Sequence, residues 1–430
     1  MSKVKIAFYT FGCKVNYTET SSLERLFEKE RYEIVSFKEE ADIYIINSCA
    51  VTSNAEKKCR FLINQTKRLH NDKTIFLIGC YAEKDFEALK QKDNSIYILN
   101  NANKFNLKRN IEELLDNKQT EFYHTPNNEL NNAIDASYSI GQRTRSFVKI
   151  QDGCDFFCSY CIIPYLRGRS RSANKEDILN NIKIIAANDV KEIVLTGINI
   201  GKYGIDNNEN FLTLLKEIEK IEGIERIRIS SIEPNLITDE MISFFANSKK
   251  YLPHFHIPLQ SGCDRVLKLM NRKYNTEFYK NRIEYIKQNI PNAFVATDLI
   301  VGFPDETEED FNTTCNFIKS LPLSFIHVFT YSERGNTKAT ELNNKVTELD
   351  KKTRSQTLHQ ISEEKQLTFY NQFKGYDANV LFETDIHKGM ISGFTENYIK
   401  VKTAYKEDFT NQIIKIKLNE IDTDGVFIHK

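Results

Sequence analysis

The 430-residue sequence has no apolar run approaching the roughly 18 residues of a membrane-spanning helix. Nor does its start leave room for a secretory leader, because Met1-Ser2-Lys3-Val4-Lys5-Ile6 passes directly into an alternating strand pattern. A cytoplasmic location without membrane association is therefore expected, in a compartment that keeps thiols reduced. Charge of one sign is also missing: 59 lysines and arginines balance 59 aspartates and glutamates. That balance excludes a strongly basic nucleic-acid coat, and any polyanionic partner must be met by a local patch. No internal repeat and no low-complexity tract interrupts the chain. What remains is 40% hydrophobic and 27% charged, an ordinary globular composition. At about 150 residues per domain, two to four domains are expected. Nine cysteines in a reducing compartment point to metal binding, catalysis or packing before disulfides.

The pattern divides into units. Over residues 4–116, strand-like runs at 4–11, 43–47, 74–79 and 96–99 alternate with helical patterns at 21–29, 54–69 and 84–90. Such alternation predicts a parallel α/β sheet. A polar stretch follows and reads as a linker, placed at 118–140. A second alternation has strands at 147–151, 192–196, 226–232, 255–259, 294–301 and 325–331. Six β/α units in about 190 residues suit a partial (β/α)6 barrel better than an open sheet, closed by a long charged helix at 345–374. Short strand candidates at 380–382, 390–394, 398–403, 412–418 and 426–429 predict a small antiparallel β-barrel of the OB type. The expected boundaries are thus 1–117, 118–140, 141–371 and 372–430.

The densest chemistry is Gly153-Cys154-Asp155-Phe156-Phe157-Cys158-Ser159-Tyr160-Cys161, just after the first central strand. Three thiols spaced C-x3-C-x2-C can face one centre, and thiolates ligate zinc and iron–sulfur clusters. A closed zinc site needs a fourth ligand, which only His124, Cys80 or His254 could bring by long-range convergence. Three ligands on a four-iron cluster instead leave one iron open. The loop resembles the cluster motif of radical S-adenosylmethionine enzymes, whose partial barrel matches the alternation. The resemblance implies a 4Fe-4S cluster on Cys154, Cys158 and Cys161, with S-adenosylmethionine chelated at the open iron.

Cys13, Cys49 and Cys80 each directly follow a strand of the first unit. In a parallel sheet the strand C-termini share one edge, so thiols far apart in sequence can meet there. Cys59, mid-helix on a face with Ile63, is expected to pack, as are Cys263 and Cys315. Two three-cysteine sets in this order resemble the methylthiotransferase family along essentially the whole chain. Segments carrying the likeness include Phe11-Gly12-Cys13-Lys14-Val15-Asn16, Ser48-Cys49-Ala50-Val51-Thr52, Pro258-Leu259-Gln260-Ser261-Gly262-Cys263 and Gly302-Phe303-Pro304-Asp305-Glu306-Thr307. The resemblance implies an auxiliary 4Fe-4S cluster on Cys13, Cys49 and Cys80, and a C-terminal RNA-binding TRAM barrel. The Gly-Cys-Lys-Val-Asn and Ser-Cys-Ala-Val-Thr segments look like the branch acting on N6-threonylcarbamoyladenosine at tRNA position 37. A branch acting on isopentenyladenosine and one acting on a ribosomal protein are the alternatives. A zinc-containing RNA-binding protein is the alternative from another class.

Further positions follow from the same resemblance. Tyr160 is expected against the adenine of the cofactor, and Gly197 and Asn199 near its methionine end. Ser231, Glu233, Gln260 and Gly302, at ends of barrel strands, are expected to contact the cofactor because chemistry sits on that face. Thr307 with Asp310 reads as a plain helix cap. Arg167, Arg169 and Arg171, close behind the cluster loop, are the expected RNA contacts. No side chain is assigned as a catalytic acid or base. The partners implied are tRNA, a flavodoxin- or ferredoxin-type electron donor and a sulfur donor.

Overall fold

The computed structural model describes residues 2–70, 72–92, 95–116, 134–141 and 144–429. Strands β1 (Val4–Thr10), β2 (Tyr32–Val35), β3 (Ile43–Ser48), β4 (Thr74–Gly79) and β5 (Ile96–Ile98) pair in parallel in the order β2-β1-β3-β4-β5. Every residue of central β3 is buried, as its unbroken apolar run requires of a strand covered on both faces. Tyr44, Ile46 and Leu77 supply one core, and Ile43, Ile45, Phe76 and Ile78 the other. The chain leaves β1 for β2 on one side and then returns to β3 on the other. The crevice at such a switch point, beyond the strand C-termini, is where ligands bind in open α/β sheets.

Helix α1 (Lys14–Glu24) follows β1, and α2 (Ser53–Leu69) follows β3. The α1 helix begins seven residues before the 21–29 pattern. Its buried face carries Asn16, Thr18, Glu19 and Thr20, so it lacks the apolar stripe that marks a helix in sequence. By contrast, α2 is capped by the Thr52 hydroxyl, which accepts from the Ala55 N–H, and buries Glu56, Cys59, Ile63 and Thr66 at helical spacing. Cys59 packs with Ile63 as expected.

A short strand β6 (Ser137–Tyr138) pairs antiparallel with β7 (Arg145–Lys149), so the end of the expected linker belongs to the central sheet. Residues 117–133 of that stretch, with His124, lie outside the described residues. Beyond β7, the short strands β8 (Gln151–Asp152) and β9 (Arg171–Ser172) pair with each other around the cysteine loop. β7, β10 (Glu192–Thr196) and β11 (Arg226–Ile229) form one parallel run. β12 (His254–His256), β13 (Phe294–Val301) and β14 (Phe325–Thr330) form another. A bridge from Ile227 to Tyr251 joins the runs into the expected six-stranded partial barrel. Val148, Ile193, Leu195, Ile227 and Ile229 face the surrounding helices. Strand alternation therefore turns Arg145, Phe147, Lys149, Glu192 and Arg228 inward. The closing helix, Glu348–Asn371, seats Ser362 on the Ile326 backbone of β14.

The C-terminal strands β15 (Asp377–His387), β16 (Met390–Phe394), β17 (Lys400–Ala404), β18 (Ile413–Lys417), β19 (Glu420–Ile421) and β20 (Phe427–His429) form a curled sheet ordered β18-β15-β16-β17-β20-β19. It is antiparallel except for β17 with β20, a parallel pair that the alternation pattern alone does not reveal. This sheet seals the barrel end where the strands begin. Arg226 donates to the Phe394 and Asn379 carbonyls, and Arg228 to those of Thr395 and Glu396. No helix among the described residues is long and apolar enough to cross a membrane.

Candidate metal and cofactor centre

The turns after β1, β3 and β4 bring Cys13, Cys49 and Cys80 to the switch-point edge of the first sheet. Gly12 and Gly79 make the close approach feasible. At φ +99° and +89° they adopt backbone that side chains disfavour. A Cβ on Gly12 would lie 3.1 Å from the Cys49 Sγ, and one on Gly79 only 2.4 Å from the Asn47 Oδ1. Asn16 fixes two of the turns, donating to the Phe11 carbonyl at 2.8 Å and the Ser48 carbonyl at 3.1 Å. The Ser48 hydroxyl holds the third, accepting from the Tyr81 and Ala82 N–H groups.

Burial, then the neighbouring thiols Cys80, Cys13 and Cys59, pushes the Cys49 thiol up to about 12. Burial likewise raises Cys80, against the opposing pull of Arg167. Crowded thiols, with Cys49 and Cys80 held protonated by burial, suit a cation that displaces their protons. Cys13 stands at the N-cap of α1 without a side-chain cap, so unpaired helix N–H groups face the same anionic position. The donor set fits an iron–sulfur cluster.

The second triad lies beyond β7. Gly153, at φ +73°, lets the chain pass so close to the Arg169 carbonyl that a Cβ would sit 1.9 Å from it. The loop is then pinned from the helix Asp264–Leu269 and the turn after it. Ser159 bonds to the Leu269 and Met270 carbonyls, and Asn271 donates to the Phe157 carbonyl at 3.0 Å. Asn199 directs its amide at the Cys154 Sγ, 3.6 Å away. Burial, then Cys158, pushes the Cys161 thiol up to about 12. These cysteines also fit a cluster.

Arg272 is the residue that sequence reading missed. Its guanidinium lies 3.2 Å from the Cys158 Sγ and 3.4 Å from the Tyr160 hydroxyl, bonds Tyr274 at 2.7 Å, and pairs with Glu233. Only its place in a turn between two helices, 114 residues from Cys158, could have pointed to it. Burial raises the Glu233 carboxyl and Arg272 opposes that rise. Glu233 thus belongs to the cluster surroundings through an arginine. Ser231 bonds the His256 Nδ1 at 2.8 Å, and the His256 Nε2 bonds Asp298 at 2.7 Å, a chain inside the barrel. His327 lies nearby, its ring tilted 51° to that of His256 with 5.0 Å between ring centres.

Gly197 packs against Gln151, whose side chain also accepts from the Asn199 N–H at 2.7 Å. Gln260 holds a left-handed φ of +76° while its backbone bonds Asp298 and Ile300. Gly302 donates its N–H to Glu306 and lies under the Lys351 side chain. Thr307 and Asp310 form the expected capping box.

The expected RNA contact at Arg167 is corrected. That side chain is 1% exposed. It binds Glu19 at 3.1 Å, Asp152 at 3.0 Å and the Asn16 Oδ1 at 2.6 Å. Lys104 and Lys149 complete the cluster on Glu19 at 2.7 and 3.2 Å. Arg167 ends the short helix Ile163–Arg167, which packs on the segment starting at Cys80 and so physically links the two triads. Arg169 stays exposed beside Asp155, and Arg171 is half-buried on the Arg167 carbonyl.

Comparisons of sequence and of fold relate the chain to known proteins. The Radical SAM superfamily model matches residues 148–318, and the model described as uncharacterized protein family UPF0004 matches residues 5–100. The chain is 38% identical to the threonylcarbamoyladenosine tRNA methylthiotransferase MtaB of Aquifex aeolicus, across 94% of this chain and 98% of that protein. It is 37% identical to the protein of that name from Bacillus subtilis, across 96% and 93%. A tRNA-2-methylthio-N(6)-dimethylallyladenosine synthase of Fusobacterium nucleatum shares 34%, across 97% and 98%. In fold, the chain is similar to the radical S-adenosylmethionine methyltransferase TsrM of Kitasatospora setae. The TM-score is 0.59 at 11% identity, covering 91% of this chain and 77% of the other.

Proposed function

The chain belongs to the radical S-adenosylmethionine tRNA methylthiotransferases, and on that premise we propose that it inserts a methylthio group at C2 of N6-threonylcarbamoyladenosine at tRNA position 37. The observation that carries the reading is the convergence of two thiol triads, one at the switch point of the first sheet and one at the barrel mouth, joined by the helix ending in Arg167. An aromatic C–H has no acidic proton at neutral pH, so no general base suffices. Cys154, Cys158 and Cys161 would hold a 4Fe-4S cluster beside S-adenosylmethionine, supplying radical chemistry, and Cys13, Cys49 and Cys80 a second 4Fe-4S cluster, supplying a seat for sulfur.

The chain's own side chains do the positioning. Arg272 and Asn199 orient the sulfurs of Cys158 and Cys154. Tyr160, Gly197, Ser231, Glu233, Gln260 and Gly302 remain the residues proposed to surround the cofactor, Glu233 through Arg272. Arg169 and Arg171 remain the proposed RNA contacts. A flavodoxin- or ferredoxin-type reductant, a sulfur donor and a cytoplasmic setting complete the reading.

Nucleoside mass spectrometry of tRNA from a strain lacking the gene tests it. Loss of the 2-methylthio form of threonylcarbamoyladenosine, with the unmethylthiolated nucleoside accumulating, is expected. Loss confined to the isopentenyladenosine derivative would move the chain to the other branch.

A further inference from the structure

Strands β12, β13 and β14 are neighbours, and each turns alternate residues toward the barrel interior. Phe255, Leu299 and Ile326 pack outward among the helices, so His256, Asp298 and His327 point the other way. Asp298 and His327 are register partners, and His256 pairs with Ala296, two residues before Asp298 on the same face. One nitrogen of each imidazole and one carboxylate oxygen all lie within 4.8 Å of one another. Ser231 engages the His256 Nδ1 at 2.8 Å, and the His256 Nε2 meets Asp298 at 2.7 Å. His327 has no hydrogen bond among the described residues, although its ring centre is 5.0 Å from that of His256.

Two imidazoles and one carboxylate form a ligand set for a divalent first-row transition metal, and three such ligands leave further positions open. Magnesium and calcium prefer oxygen donors alone. Ser231 supplies what a ligating histidine needs at its other nitrogen. With Nδ1–H donating to the Ser231 Oγ, the tautomer is fixed and Nε2 is left to the ion. A plain hydrogen bond accounts for His256 with Asp298, but not for a second histidine set beside the same carboxylate without a bond of its own. Donors about 2.0–2.1 Å from a tetrahedral zinc ion stand about 3.3 Å apart. The spacings here, 2.7 Å between His256 and Asp298 and at most 4.8 Å across the group, bracket that value. His256 and Asp298 are 21% and 17% exposed and His327 more so, which leaves an ion a way in and His327 room to close.

We propose that His256, Asp298 and His327 form a mononuclear divalent-metal site inside the barrel, with Ser231 orienting His256. It shares no ligand with the two thiol triads and does not depend on which tRNA base is modified. Its open positions face the barrel interior, where an oxygen donor can enter.

The test uses the anaerobically reconstituted enzyme with its clusters in place. It is dialysed to equilibrium against zinc, then read by metal analysis and by zinc K-edge X-ray absorption fine structure. About one zinc per chain is expected in addition to the iron, with nitrogen and oxygen neighbours at about 2.0–2.1 Å, imidazole scattering, and no sulfur shell near about 2.3 Å. His327→Gln changes an exposed side chain and should remove the zinc at unchanged iron content, as should His256→Gln. Ser231→Ala should weaken zinc binding about 10- to 100-fold in competition with a chromophoric chelator. No zinc beyond the iron, or zinc seen only with a sulfur shell, overturns the site. Zinc with nitrogen neighbours that persists in the His256→Gln/His327→Gln double variant overturns it too, and undiminished affinity in Ser231→Ala overturns the orienting role. If His256→Gln fails to fold, the wild-type fine structure and His327→Gln decide the matter.

Discussion

Arg272 shows how much of the site rests on single side chains. It satisfies a buried carboxylate, a thiol sulfur and two phenols at once. Lysine at 272 keeps the charge but cannot span these directions, since it lacks the planar fork. Arg272→Lys is therefore expected to retain iron while slowing reductive cleavage of S-adenosylmethionine by roughly tenfold or more, as residues orienting metal ligands usually do. Unchanged cleavage would show that the contact to Cys158 has no functional weight. Glu24 carries a second residue-level prediction. It lines a cavity with Tyr9, Tyr17 and Arg145, and burial pushes its carboxyl up to about 7. In the folded state it holds a proton that the unfolded chain releases near the ordinary 4.5. Its contribution to stability is thus intact below about 4.5, is lost as pH rises toward 7, and stays lost above. Glu24→Gln should raise stability by ~1–3 kcal/mol at pH 8 and change little at pH 4, measured by urea unfolding. The six proposed cluster cysteines were legible because their spacing, or their position after a strand, is a local property. Arg272 and His256 were not. Each becomes meaningful only through a group that folding brings near it, 114 residues away for Arg272 and 42 for His256.

At the level of elements, the switch-point turns and α1 form one unit whose polar interior explains both its function and its poor visibility in sequence. A helix usually announces itself by an apolar stripe, but α1 turns Asn16, Thr18, Glu19 and Thr20 inward. Asn16 braces the turns at Cys13 and Cys49 while Glu19 receives Arg167, Lys104 and Lys149. The longer strands needed no such help, since unbroken or alternating apolar runs marked them, whereas the short strands β2, β6, β8, β9 and β19 carry too few residues to show a pattern and went unread. The turn glycines give a direct check. In Gly79→Ala the new Cβ meets Asn47 and the Ser48 backbone under 3 Å, at a φ that alanine resists. More than about 1 kcal/mol of stability should be lost. Iron per chain should fall from about eight to about four, with the radical-site cluster kept. Eight irons in that variant would place the second cluster elsewhere. Arg167 works between elements. Replacing it by methionine leaves Glu19 and Asp152 short of their shared partner, an expected loss of about 3–5 kcal/mol by thermal or urea unfolding. A surface arginine bound for RNA would cost almost nothing, so the same measurement separates the two assignments.

For the whole molecule, the balance of 59 cations against 59 anions bears on how a polyanion is held. The C-terminal sheet does not tilt that balance, since from Gly375 onward the chain has seven lysines and nine acidic residues. Several of those charges are already paired, as Lys402 is with Asp422 and Asp424. The arginines at the sheet's docking face are turned inward onto its carbonyls and are likewise unavailable. With Arg167 buried, the expected RNA contacts that remain are Arg169 and, in part, Arg171. Each neutralised phosphate contributes about 0.7–0.9 to the slope of log K against log salt. Binding of a tRNA anticodon stem-loop should therefore weaken with salt along a shallow slope, between about −1 and −3. Arg169→Ala should reduce that slope by about 1 and weaken binding alike for modified and unmodified loops. A slope steeper than about −5 that ignores Arg169 would transfer the RNA surface to another basic face, the exposed Lys57 and Lys58 of α2 being the first to substitute.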